Sequence, residues 1–586
     1  MSDSTRPFNP VGDERPDESD ETSEEDVRRQ TGRFGYVEPG RFDPRPPPLP
    51  TPAPPPLMAP AGKPSTGRLK RSVAVLVVGV ALLAAVAVEG PTRRPESAAA
   101  TTTTAPPPLA VSVGLGPRAP KAFYCPEGST TDGAEEFLVL VNTSAAPLTA
   151  QLTFLVGGPS PPPLPVKVDP GARQSVRVND HVQAQGVGTL VEADGPGLAV
   201  AETLFVDSGT RRGTLNGPCS GQVASTWYFA GGTTAKGYEL WVLLVNPFPE
   251  DAVVDVVSVA DGEEVRPPDF QQVPVPARAR VSLPLHEKIL RKDRVATTVT
   301  ATRGRVAAAE SSFLLDEPFG ATEMIGATGP SPSWYFGEGY AGPGVTQTIS
   351  VLNPGGAEAS ARVDLLLSEV TPTPPVTIRV APRGRTDLVV GADLPEGTSY
   401  GMRVTASAPV VVARSQVSPA PSPLRGYLFT VGVAEPHTSW IVPESAADPP
   451  LDGFLSLANA GSRPATVRVA SLANGALSVP TNLASVTIEA GRRRTFRVPE
   501  YFNGPALTLV VESDEPVVAE SAIYLTEPRY GSAASPGVPV EGHVVLPVHE
   551  VTAKPPPTTT TTTTLPPPPV TPTAPPVTSP HPAPTG

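Results

Sequence analysis

STWYFAGG, residues 225–232, carries the aromatic triplet Trp227-Tyr228-Phe229, and the recurrence of that triplet decides the fold. It returns as Trp334-Tyr335-Phe336. An earlier copy reads Phe123-Tyr124-Cys125, and a reduced one reads Trp440-Ile441-Val442. The spacings are 104, 107 and 106 residues. A fixed period signals stacked copies of one supersecondary unit.

Three further features keep phase with the triplet. The first is a strand ending in Asn: LVLVN at Asn142, VLLVN at Asn246, ISVLN at Asn353 and LSLAN at Asn459. Apolar residues two and four places before each Asn fall on one face, as a half-buried strand requires. Asn suits a strand end because it bonds nearby backbone. The second is a turn into a strand with one arginine in register: Arg173, Arg280, Arg385 and Arg493. The third is a strand pair closing each repeat, whose polar position holds Glu202, Glu310, Arg414 and Glu520. These polar residues read as outward strand positions, partners for the register arginines.

Each repeat thus holds about six to eight short strands with turns roughly every 8–12 residues, the pattern of an immunoglobulin-like β-sandwich. The fold class expected is all-β, with four tandem sandwich modules at 122–222, 223–330, 331–436 and 437–551. Laid end to end they would make a rod on the order of 120–160 Å. A propeller is the second choice, but its repeats run only ~40–50 residues.

The flanks read differently. Ser72 to Val88, SVAVLVVGVALLAAVAV, is uncharged over 17 residues and spans roughly 25 Å as a helix, enough for a bilayer core. Arg68, Lys70 and Arg71 precede it; Glu89, Arg93 and Arg94 follow. With 71 residues ahead of it, it reads as an uncleaved anchor rather than a signal peptide. Residues 1–71 are acidic, then proline-rich, and lack a hydrophobic period, the composition of a disordered tail. A Thr/Pro linker covers 89–121, and a second Pro/Thr-rich tail covers 552–586. The expected topology is a single-pass cell-membrane protein with its N-terminus cytoplasmic and its repeats outside.

Both cysteines, Cys125 and Cys219, lie beyond the apolar run. An even count on the oxidising side reads as one disulfide, with two buried free thiols as the alternative. Such a bridge would stabilise by roughly 4–5 kcal/mol. It would close the first module or pin it to the second.

The strings STWYFAGG, PSWYFGEGY, LLVNP, VLNP and EMIGATGP resemble those of bacterial secreted repeat proteins. These are mainly actinobacterial and membrane-anchored, and form a family of unknown function. The resemblance covers residues 122–545. It implies an envelope-exposed β-protein and carries no catalytic residue to transfer.

Chemistry is scarce. The net charge of −13 argues against nucleic acid, which needs a basic footprint. No metal-ligand spacing, nucleophile elbow or phosphate-cradling loop occurs. Glu202, Glu310 and Glu520 stand one per repeat, whereas a glycosidase needs two carboxyls within roughly 5–10 Å. No catalytic, cofactor or metal residue is assigned. The triplets read as packing rather than sugar-stacking platforms. Trp241, private to the second module, is the candidate ligand contact. The leading expectation is a non-enzymatic envelope scaffold. One rival is a binding module for a cell-wall polymer or envelope protein, and another is a signalling component acting through the acidic tail. Oligomeric state is left open.

Overall fold

The computed structural model describes residues 121–368, 373–526 and 531–555, all within one compact unit, Thr103–Gly586. The expected tail (1–71), membrane segment (72–88), nearly all of the linker (89–121) and most of the Pro/Thr tail (552–586) lie outside the described residues. No helix among the described residues is long and apolar enough to cross a membrane.

The described chain is all-β. In the first repeat one four-stranded sheet runs in the order Ala122–Cys125, Gly188–Ala193, Leu148–Leu155, Leu164–Val168. A second runs Arg173–Arg177, Ala134–Asn142, Leu198–Asp207, Arg212–Pro218. The second repeat repeats both orders: Ala279–Pro284, Tyr238–Asn246, Ala307–Leu314, Gly320–Ile325 form its matching sheet. In the third and fourth repeats the first strand of the last hairpin merges with its predecessor into one long run. These runs, Thr398–Ser418 and Leu507–Leu525, serve both sheets.

The Asn-ended strands are not half-buried. Their last five residues are buried on both faces in all four repeats. One face meets the repeat's own second sheet. The other is covered by a neighbouring repeat, which alternation alone does not reveal. Burial on both sides leaves backbone polar groups at the strand ends without water, and the Asn side chain meets that need. Nδ2 of Asn142, Asn246, Asn353 and Asn459 donates to the carbonyl four residues on, at 2.8, 2.8, 2.7 and 2.8 Å. It also donates across to Val168, Val275, Val380 and Ile488 at 2.9, 3.0, 3.2 and 2.9 Å. Oδ1 accepts from the amide two residues on, at 2.9–3.1 Å. One amide therefore ties a turn, its own strand and the strand before the register arginine.

The repeats do not run end to end as a rod. The last strands of the four repeats, Arg212–Pro218, Gly320–Ile325, Gly426–Val431 and Gly531–Pro536, contact one another in a closed cycle. Each has a glycine at or near its start. A Cβ on Gly213 would lie 2.2 Å from the Ala321 nitrogen, one on Gly320 2.8 Å from that of Tyr427, and one on Gly426 2.8 Å from that of Ser532. The fourth, Gly531, faces Gly213 itself. At Gly213, Gly320 and Gly426 backbones this close exclude any side chain. The first and fourth repeats also share a hydrophobic core, in which Phe123, Leu152 and Val200 join Ile441, Ala470 and Val510.

Asn246→Ala should cost about 1–3 kcal/mol, because it orphans buried carbonyls as well as losing its own bonds. Denaturant unfolding of the variant against wild type checks this.

Candidate functional site

The polar residues that recur in every repeat gather at the seams between repeats. Two residues past the triplet stand Glu127, Gly231, Glu338 and Glu444. Each register arginine reaches this place in the preceding repeat. Arg280 Nη2 donates to Glu127 Oε1 at 3.1 Å, its Nε to the Pro126 carbonyl at 2.6 Å, and its Nη1 to Ser282 at 2.8 Å. Arg493 Nη2 donates to Glu338 Oε2 at 3.0 Å and to Ser456 at 2.6 Å. Arg173 of the first repeat pairs with Glu444 of the fourth and closes the cycle. In the second repeat Gly231 replaces the acid. There Arg385 turns to backbone, donating from Nη1 to the carbonyls of Gly232 and Val295 at 2.8 and 2.7 Å. Its charge is met within its own repeat by Asp387 at 2.7 Å.

Burial shapes the electrostatics of these pairs. The Glu338 carboxyl is pushed up by desolvation, against the pull of Arg493. Arg493 is held below the usual guanidinium value by the same desolvation. Glu444 is raised by burial, opposed by Arg173.

The position holding Glu202, Glu310, Arg414 and Glu520 is not an outward one: all four side chains are buried. Nor do these residues salt-bridge the register arginines, since the glutamates past the triplets hold that place. Arg414 instead pairs with Glu520 across the third and fourth repeats at 2.5 Å. Glu520 Oε2 also accepts the amides of Gly337 and Glu338 at 2.9 and 3.1 Å. Glu310 takes a 3.3 Å bond from Thr297, and burial raises its carboxyl well above the usual range.

Phe123, Trp227, Trp334 and Trp440 are buried. Each tryptophan Nε1 donates to a carbonyl within its own repeat: Val306 at 2.8 Å, Val410 at 2.7 Å and Val517 at 2.9 Å. They are interior packing residues with the one polar atom satisfied. Cys125 and Cys219 are joined in a disulfide that links the first strand of the first repeat to the end of its last.

Trp241 lies half-buried at the seam of the first and second repeats. Its Nε1 donates to Glu239 at 3.2 Å. The Arg211 guanidinium, held by Glu239 at 2.7 Å, stands 5.4 Å from the Trp241 ring and 5.1 Å from that of Phe313. The His286 ring lies 5.1 Å away on the same repeat. Trp241, Arg211 and Phe313 line a cleft whose other wall carries Asp132, Thr131 and Gln185 of the first repeat. An aromatic ring beside planar polar side chains offers both stacking and hydrogen bonding.

The seam glutamates escaped the sequence reading because Gly231 breaks their series. Their constant offset from the triplet was the available signal.

Residues 174–423 match the model of a family of unknown function, DUF5719, from within the first repeat into the third. No curated protein matches the chain. Among solved structures, the chain resembles the crystal structure of Thermotoga maritima 1070 at 19% identity, covering 18% of this chain and 93% of that one, with a TM-score of 0.16. It resembles the Anabaena sensory rhodopsin transducer at 21% identity, covering 14% and 87%, with a TM-score of 0.14. At those scores neither likeness carries an argument about this chain.

Removing Arg493 strands a buried carboxylate, so Arg493→Leu should cost about 3–5 kcal/mol. The double variant with Glu338→Gln should recover part of that loss. A double-mutant cycle by chemical denaturation reads the coupling, and additive losses would remove the seam pair as a stabilising contact.

Proposed function

We propose that the chain is a non-enzymatic scaffold of the cell envelope. In this reading residues 72–88 anchor it once in the membrane, and four immunoglobulin-like modules stand on the extracytoplasmic side. The observation that carries the reading is the use of the recurring polar residues. Register arginines and seam glutamates are committed to joining repeats, which a load-holding platform requires and a reaction centre does not. The Cys125–Cys219 bridge supports an oxidising compartment for the repeats. Protease added to intact cells should reach the repeats and spare an epitope tag placed before residue 71. Loss of the tag with the repeats protected would reverse the topology and sink the proposal.

The cleft at Trp241 supports a second reading, retention of a cell-wall glycan by the same scaffold. Detergent-solubilised full chain should then co-sediment saturably with isolated wall material, and Trp241→Ala should lower retention at least tenfold with an unchanged circular dichroism spectrum. Equal retention by the variant would discard Trp241 as the contact.

A further inference from the structure

One position distinguishes the first seam from that of the third and fourth repeats. Glu202 and Arg414 occupy the same place, opposite the residue four before the strand-ending Asn: Leu138 pairs with Glu202 and Ile349 with Arg414. Arg414 reaches into the following repeat and finds Glu520, an opposite charge. Glu202 reaches into its following repeat and finds Glu323, a second carboxyl at side-chain hydrogen-bonding range.

Both groups are buried, Glu202 at 2% exposure and Glu323 at 7%. Among the described residues neither oxygen of Glu202 has a protein donor, and Glu323 Oε2 has none. On its other side Glu202 lies against the disulfide, with a carboxylate oxygen within 4.8 Å of both sulfurs, which offer it no proton. The charged groups that face the pair are Glu127 and Glu136 of the first repeat and Arg280 of the second. Arg280 is already committed to Glu127, Pro126 and Ser282. Glu136 is fully buried, with both oxygens unpartnered. Two ionised carboxylates cannot share such a site without a donor between them.

We propose that Glu202 and Glu323 form a proton-holding latch between the first and second repeats, closed while the pair is protonated and loosened as alkali removes its protons. The seam it governs is the one that carries the Trp241 cleft, since Glu127 and Arg280 line both. The Glu323 carboxyl is pushed up to about 8, chiefly by burial. Burial, and then the charge and contact of Glu323, raises Glu202 well above the usual range. In the unfolded chain both ionise near ~4.3. From there to about pH 8 the folded chain keeps a proton on Glu323 that the unfolded chain has released. Stability from this group is therefore fully present below the unfolded value and declines as pH rises through that window. The seam of the third and fourth repeats, joined by Arg414 and Glu520, lacks such a carboxyl pair.

The test uses the full chain in detergent, unfolded with denaturant at pH 5 to 9. Glu323→Gln keeps shape and a donor but cannot ionise. Its stability should decline less steeply with pH than the wild type, by a slope of about one proton. Glu202→Gln, a second variant, should act in the same direction. Hydrogen exchange of the wild type, corrected for intrinsic rates, supplies the local readout. Protection along Arg212–Pro218 and Gly320–Ile325 should fall at least tenfold between pH 6 and pH 9, while Leu507–Leu525 holds. Wild-type slopes in both variants, or unchanged protection at the first seam, would overturn the latch.

Discussion

Arg173 of the first repeat grips Glu444 of the fourth, and the rest of the described structure depends on bridges of this kind. A guanidinium from the start of one strand reaches the place two residues past the preceding repeat's triplet. Arg280 and Arg493 repeat the contact with Glu127 and Glu338. Such pairs are expensive to bury, and the net stabilisation they bring is small unless every remaining donor is satisfied. Their geometric demand is strict. The fork of Arg280 is met by a carboxylate, a carbonyl and a hydroxyl at once, which admits one register between repeats.

Closure changes the status of each sheet. A sheet on the end of a rod would have a solvated face. Here the inner sheets are covered on both sides, so polar groups that would otherwise meet water need partners from the protein. The Asn side chains supply them at the strand ends, and the tryptophan indoles bond carbonyls in the interior. The requirement is imperfectly met at the first seam, where Glu136 and Glu202 keep unpartnered oxygens. A buried acid without a donor holds its proton, and the other seams have unpartnered atoms of their own, among them Glu310 Oε2 and the Nε and Nη1 of Arg414 and Arg493.

The first seam concentrates what is particular to this chain. It holds the carboxyl pair, the neighbouring disulfide, and the cleft with Trp241, Arg211 and Phe313. The seam of the third and fourth repeats keeps the arginine bridge, and that of the second and third replaces it with bonds to backbone carbonyls. An assembly of near-copies acquires individuality where one copy departs from the pattern, as Glu323 does at the first seam, Gly231 at the second and Arg414 at the third.

The sequence by itself determined the repeat, the all-β class and the strand positions. Period, alternation and turn residues are local properties, and each repeat carries them independently. It also marked the arginines and the asparagines by their phase. Only the tertiary structure decided what those residues do. The register arginines find their partners in the preceding repeat, and Arg173 finds its own 271 residues away in the last. Glu202 and Arg414 lie in the interior although strand alternation reads them as outward. The physical reason is that closure buries the second face of each inner sheet, and closure depends on Gly213, Gly320 and Gly426, whose close approach is a relation between repeats rather than a property of any one.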